Sequence, residues 1–347
     1  MPNSGPNTLL RYERPAFSVT VPLSILDLAT IGPGQTAAES FAGSVAMARL
    51  AEARGYRRIW YAEHHNMSSI ASSATSVLIA HVAAHTSSIR LGAGGVMLPN
   101  HSPLTIAEQF GTLETLHPGR IDLGLGRAPG SDQNTMRALR RDPMSADSFP
   151  QDVLELQGYL HGPTRIPGVE ATPGKGTNVP LYILGSSLFG ARLAAQLGLP
   201  YAFASHFAPN ALQDAVAIYR SEFRPSAHLE APHVIAGVNV IAADSAADAQ
   251  AMFQATKRAR VSLFFGNGRV FSDDEADMIL DSPQGQHVAQ MMKYSAVGTA
   301  DAVLAYLDEF TEHADADELI VAHQSTGTEA RLRSVELLAD AAQLLRA

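Results

Sequence analysis

The chain has 347 residues with 25 basic and 34 acidic side chains, a formal charge of −9, 46% hydrophobic residues and no cysteine. The missing cysteine excludes a disulfide framework, thiolate metal sites, iron–sulfur clusters and a cysteine nucleophile, and the acidic balance argues against a nucleic-acid partner. No apolar run approaches the ~20 residues of a transmembrane helix, and the proline- and charge-bearing start does not read as a signal peptide, so a soluble, cytoplasmic protein of enzyme size is expected.

In chain order, residues 1–16 read as a polar arm and 17–26 as a first strand, followed by an Ala-rich helix over 39–54 that stops at Gly55. Residues 58–62 form a second strand and 74–85 its helix; 89–98 a third strand and 104–116 its helix, closed by His117-Pro118-Gly119. Strand four covers 121–125, followed by a long loop and a helix near 152–160. Strands at 181–184, 201–204, 234–242 and 318–321 precede helices at 190–196, 211–223, 246–260 and 329–345. Strict strand–helix alternation implies a parallel sheet with helices outside it. Eight units in one chain of this length fit a closed (β/α)8 TIM barrel of the α/β class better than an open doubly wound sheet. Residues 261–297 break the rhythm and read as an insertion between the seventh and eighth units, either covering the barrel mouth or forming a surface excursion. No linker marks a boundary, so 17–347 is expected to be one domain.

In such a barrel the chemistry sits at the C-terminal ends of the strands. Strand two runs into Glu63-His64-His65-Asn66. Neighbours in an extended segment point opposite ways, so one histidine can face the mouth as base or donor while the other packs or orients. Strand three carries Gly92, Gly94 and Gly95, which mark a bulge, a close helix contact or the approach of a flat ligand. Strand four ends in Gly126-Arg127, and strand five in Gly185-Ser186-Ser187 at a helix start. Taken singly the serines read as an N-cap; taken with Arg127 they read as a phosphate grip, which the three lysines of the chain are too few to supply. Asp27 ends strand one, near the mouth or as a turn cap. Tyr61, Met97, His206 and Phe207 are candidate substrate-lining residues that also fit a core role.

Five segments carry a family resemblance: Trp60-Tyr61-Ala62-Glu63-His64-His65, GAGGVMLPNHSPLTIAEQF at 92–110, HPGRIDLGLGRAPG at 117–130, PLYILGSS at 180–187 and VGTADAV at 297–303. Together they resemble the bacterial luciferase-like flavin monooxygenases, in particular a subgroup of uncharacterised luciferase-like oxidoreductases. The resemblance implies a barrel enzyme that uses reduced FMN, supplied by a separate flavin reductase, and O2 to oxygenate a small organic substrate, without metal and as a homodimer. It implies that His64 is the catalytic histidine and that Gly94–Gly95 is a non-prolyl cis peptide beneath the flavin. It further implies that Arg127, Ser186, Ser187 and Gly190 hold the phosphate. Light-emitting luciferase has a glutamate where this chain has Ser186, and a reactive thiol that this chain lacks. Bioluminescence is therefore not expected. A deazaflavin-dependent dehydrogenase or a non-catalytic flavin-binding protein are the alternatives.

Overall fold

A computed structural model of the chain describes residues 21–128, 132–266 and 268–344. The expected polar arm, and residues 17–20 of the expected first strand, lie outside the described residues. The elements run β1 (Leu23–Asp27), α1 (Ala37–Arg54), β2 (Arg58–Tyr61), α2 (Thr75–Ala83), β3 (Arg90–Met97), α3 (Pro103–Leu116), β4 (Ile121–Gly126), α4 (Gln133–Ala138) and α5 (Phe149–His161). They continue with β5 (Leu181–Gly185), α6 (Leu188–Leu197), β6 (Tyr201–Phe203), α7 (Leu212–Glu222), β7 (Val234–Ala242), α8 (Ala246–Phe265), α9 (Asp273–Leu280) and α10 (Gly285–Met291). The last are β8 (Ser295–Gly298), α11 (Ala300–Ala314), β9 (Glu318–His323) and α12 (Thr328–Ala342).

Local chemistry sets the helix ends. Thr36 and Glu39 form a reciprocal capping box at the start of α1, and Gly55 ends it in a left-handed conformation at φ 84° that favours a residue without Cβ. Ser102 caps α3, with Pro103 in its first turn.

All strand pairings are parallel: β1 through β7 pair in succession, β7 pairs with β9, and β9 pairs with β1. The sheet is thus a closed eight-stranded barrel, which removes the open-sheet alternative. Alternation along the strands divides the core in two. Ile25, Ile59, Leu91, Leu123 and Val321 pack outward against the helices. Leu26, Trp60, Ala62, Tyr182, Ala202, Ile235, Ile320 and Ala322 fill the barrel itself.

The floor of the barrel is ionic. Arg58 donates to Asp122 at 2.8 Å and to the Tyr182 hydroxyl at 2.7 Å, and pairs with Glu318 at 2.9 Å. Arg90 reaches Asp122 from the side, and Ser24 donates to Glu318. Burial works to lower the Arg58 pKa, but the two carboxylates carry it upward, so the guanidinium stays charged. Removing one partner from such a buried set costs about 3–5 kcal/mol.

Two expectations change. A ninth strand, β8, pairs with Asn239–Ala242 of β7, beyond the short β6, which pairs only with the first residues of β7. The boundaries 261–297 also do not mark a unit: α8 runs unbroken to Phe265 and β8 begins at Ser295. It is α11 that packs against β7, α7 and α12 as a barrel helix. By contrast α8, α9 and α10 share a separate small core around Val261, Ala276, Val288 and Met292. Thr256 of α8 donates to the Gln324 carbonyl at 2.9 Å, which holds this helix against the end of β9.

Candidate active site

At the end of β2 alternation decides which groups face inward. His64 follows Trp60 and Ala62 at two-residue spacing and continues their inward row, whereas Tyr61 belongs to the outer layer. Tyr61 is fully buried between barrel and helices, its hydroxyl without a hydrogen-bond partner, so it does not line the mouth. The substrate-lining expectation for Tyr61 is corrected: its side chain leaves the strand on the wrong face. Asp27 lies in the same outer layer; it accepts from the Ala29 N–H at 2.9 Å and from Ser44 at 2.6 Å, the turn-capping role.

The two adjacent histidines are separated as expected. Glu63, 1% exposed, accepts from the Nε2 of His65 and of His101, both at 2.8 Å, and from the Met97 N–H at 3.0 Å. One carboxylate thereby fastens the end of β2 to the end of β3. Burial works to raise its pKa, yet the hydrogen bonds from His101, His65 and Met97 hold it below the usual carboxylate value. His65 is raised, first by its hydrogen bond to Glu63.

His64 makes no such bond: its Nδ1 is buried without a partner, and burial holds its pKa below 6.5, with Glu63 opposing. The imidazole is therefore neutral at pH 7. It borders a cavity of ≈ 540 Å³ shared with Asn66, Met67, Ser68, Ile70 and Ser73.

The Gly94–Gly95 peptide is cis, and the β3–β4 register shifts between Ala93 and Val96. Close packing explains the glycines on one side: a Cβ on Gly94 would lie 2.9 Å from Leu26 and Trp60, and one on Gly95 2.8 Å from the Gly124 carbonyl. Both residues nevertheless remain partly exposed toward the mouth, leaving bare backbone there. Met97 closes the strand, with its sulfur 3.9 Å from the Asn100 side chain.

Arg127, at the end of β4, stacks over the Phe189 ring at 4.2 Å and donates to the Ala146 carbonyl at 3.2 Å. Its only ion pair among the described residues is a long one, 3.6 Å to Asp147. Phe189 belongs to the first turn of α6, whose N-cap Ser187 makes no side-chain capping bond. Ser186 and Ser187 are exposed. Gly190 is buried where helix and strand meet, and a Cβ there would make only ordinary contacts, 3.4 Å to Tyr201 and 3.6 Å to the Gly185 Cα. Arg127 and the start of α6 are thus brought together, and the cluster suits a phosphate: a partly exposed guanidinium, held by one carbonyl and one long ion pair, beside first-turn N–H groups that carry no side-chain cap.

On the far side of the mouth His206 fills the space above Gly237, where a Cβ would lie 2.5 Å from its Nδ1. Burial first, then the charges of Arg260 and His64, push its pKa down to about 3. Phe207 is 42% exposed and stands edge-on to it at 5.3 Å. Two groups were given no role from the sequence: Glu63, whose clue was a carboxylate directly before paired histidines, and Arg260, which sits in a helix read as part of the outer ring.

Buried ionisable groups gathered at the C-terminal end of a closed βα barrel are the mark of an α/β-barrel enzyme. Comparison with known proteins narrows that class. The family model described as "Luciferase-like monooxygenase" matches residues 21–333, and the chain belongs to that family. It is 53% identical over 325 residues to a luciferase-like monooxygenase of Escherichia coli K12, covering 92% of this chain and 97% of that one. Among solved structures, apo-MsnO8 is 36% identical with TM-score 0.85, covering 93% of this chain and 99% of that one. The fold alone is shared with the oxygenating constituent of 3,6-diketocamphane monooxygenase from Pseudomonas putida in complex with FMN (16% identical, TM-score 0.70, covering 93% and 98%). It is also shared with an F420-dependent secondary alcohol dehydrogenase (13%, TM-score 0.69, covering 93% and 99%). Among the described residues no helix is long and apolar enough to cross a membrane, and no group of three or more His, Cys, Asp or Glu side chains is disposed to hold a metal ion.

Proposed function

We propose that the chain is the oxygenating component of a two-component monooxygenase that uses reduced FMN and O2 on a small organic substrate. The observation that carries this reading is Arg127 stacked on Phe189 beside the uncapped start of α6. Arg127, the Ser186 and Ser187 hydroxyls and the first-turn N–H groups would hold the phosphate, and the exposed Gly94–Gly95 backbone would receive the ring. Bound reduced FMN supplies the electrons that activate oxygen. His64, neutral and with Nδ1 free, serves as acid/base or hydrogen-bond partner to the reacting atoms. Glu63 is a positioning residue that holds the strand ends in register around it. The apolar ring of Leu26, Trp60 and Leu184 keeps water from the floor of the site. A separate reductase and a homodimer paired through outer helices complete the proposal.

The test is flavin binding followed by fluorescence. Arg127→Met is expected to weaken FMN by about 10- to 100-fold, the worth of charge-assisted hydrogen bonds, and to leave riboflavin unchanged. Equal losses for both flavins would refute the phosphate assignment. A second reading, a deazaflavin-dependent dehydrogenase, draws on the F420-dependent neighbour; binding of F420 without FMN, with anaerobic hydride transfer, would establish it. FMN binding with no oxygen consumption beyond that of free flavin would indicate a non-catalytic carrier.

A further inference from the structure

One charged group at the mouth has no role in the reading above. Arg260 lies on α8, and its Nε is buried without a hydrogen-bond partner. Among the described residues no carboxylate pairs with it, whereas Arg58, Arg90 and Arg258 meet theirs at 2.8, 2.5 and 2.5 Å. Burial lowers its pKa, and no neighbouring charge opposes that shift. A guanidinium stays protonated at any working pH, so a full positive charge stands here without a counter-ion.

The surroundings are arranged around that charge. Thr256, one turn earlier on the same face of α8, is tied to the Gln324 carbonyl, which fixes the helix against the end of β9. His206 is within reach of the Arg260 charge and is kept neutral, so it does not add to it. Asn239 donates to the His206 carbonyl at 2.6 Å, leaving Asn239 Oδ1 and His206 Nδ1 both buried and unpartnered. Arg260 is partly exposed, but its buried Nε is unpaired, so the guanidinium has lost water on that side without gaining a partner there. An anion's acceptor oxygens would pair the Arg260 guanidinium, and His206 Nδ1 where that nitrogen carries the ring proton, whereas Asn239 Oδ1, itself an acceptor, calls for a donor.

We propose that Arg260 is the anchor of the substrate pocket and that the substrate is an organic acid, its carboxylate-type head held by the Arg260 guanidinium. This rests on the monooxygenase reading, and it places the remainder of the molecule toward His64, the residue given the reacting atoms there. The anion is not the flavin phosphate, which has its own cluster at the ends of β4 and β5. Arg260 stands instead with the residues of β6, β7 and β9.

The test uses the full chain, first without added flavin, and two matched probe pairs: hexanoate with hexanamide, and phenylacetate with phenylacetamide. Calorimetry and thermal shift at millimolar probe are expected to show binding of the acids over the amides. Arg260→Met should weaken the acids by about 10- to 100-fold, and Arg260→Lys should keep part of the affinity. The ligand-free Arg260→Met protein should melt no lower than wild type, because a partly buried charge whose Nε has no partner has gone. FMN affinity should be unchanged in Arg260→Met. The proposal is overturned if acids and amides bind alike, if neither acid binds wild type, or if Arg260→Met binds acids as wild type does. It is overturned too if Arg260→Met loses FMN but not riboflavin, which would make Arg260 a phosphate ligand. A wild-type chain that binds the acids but no FMN would sink the flavin reading and leave the anchor standing.

Discussion

Replacing Glu63 by glutamine tests whether one carboxylate holds the mouth together. The amide side chain cannot reproduce all three accepted bonds. If its oxygen keeps the two imidazoles, its NH2 group meets the Met97 N–H donor to donor; if it flips, both imidazoles must give up their Nε2 protons. A lost hydrogen bond to a buried charged group is worth about 1.5–3 kcal/mol, so Glu63→Gln should lower unfolding stability by about 2–3 kcal/mol near pH 6. The pH dependence gives the sign. His65 is raised by Glu63, so its contribution is fully present below its unfolded value of 6.5 and fades as pH rises through the raised folded value. Glu63 is lowered, so its contribution is present above 4.5 and is lost as pH falls through the folded value. The gap between wild type and Glu63→Gln should therefore be widest between about pH 5 and 6.5 and narrow toward pH 9. Urea unfolding at half-unit pH steps reads it. A gap under about 0.5 kcal/mol, or one that does not vary with pH, would refute the clamp.

Three other substitutions separate the roles of neighbouring groups. His64→Ala should retain FMN binding and lose turnover by about 10²- to 10⁴-fold, the usual worth of a general acid or base; unchanged turnover removes His64 from the reaction. Gly94→Ala drives a Cβ to 2.9 Å from Leu26 and Trp60 and should cost about 1–3 kcal/mol, whereas Gly126→Ala, whose nearest neighbour is 3.7 Å away, should be near neutral in the same melt.

The eight barrel strands and their alternation were legible because each is a short apolar run followed by helix-period sequence. That Arg127 and the first turn of α6 lie together was legible from strand-end position. Strand β8 was not: Ser295–Gly298 is four residues, too short for a period, and its place is set by β7 outrunning β6. The insertion boundaries slipped for a related reason. Helix α8 follows β7 directly and looks like a barrel helix, while the helix that fills that position, α11, comes later. Tyr61 is instructive, since the alternation that turns His64 inward turns Tyr61 outward, and both follow from one parity. Glu63 and Arg260 depend on partners distant in sequence, or on having none, which a single chain of letters does not display.

The ionic floor has a consequence for traffic. Arg58, Asp122, Glu318 and the Tyr182 hydroxyl close the barrel axis below Trp60, with all four side chains buried. This end of the barrel is therefore shut, and on the proposed monooxygenase function cofactor and substrate would enter from the C-terminal ends of the strands, where whatever rests deepest would arrive first and leave last.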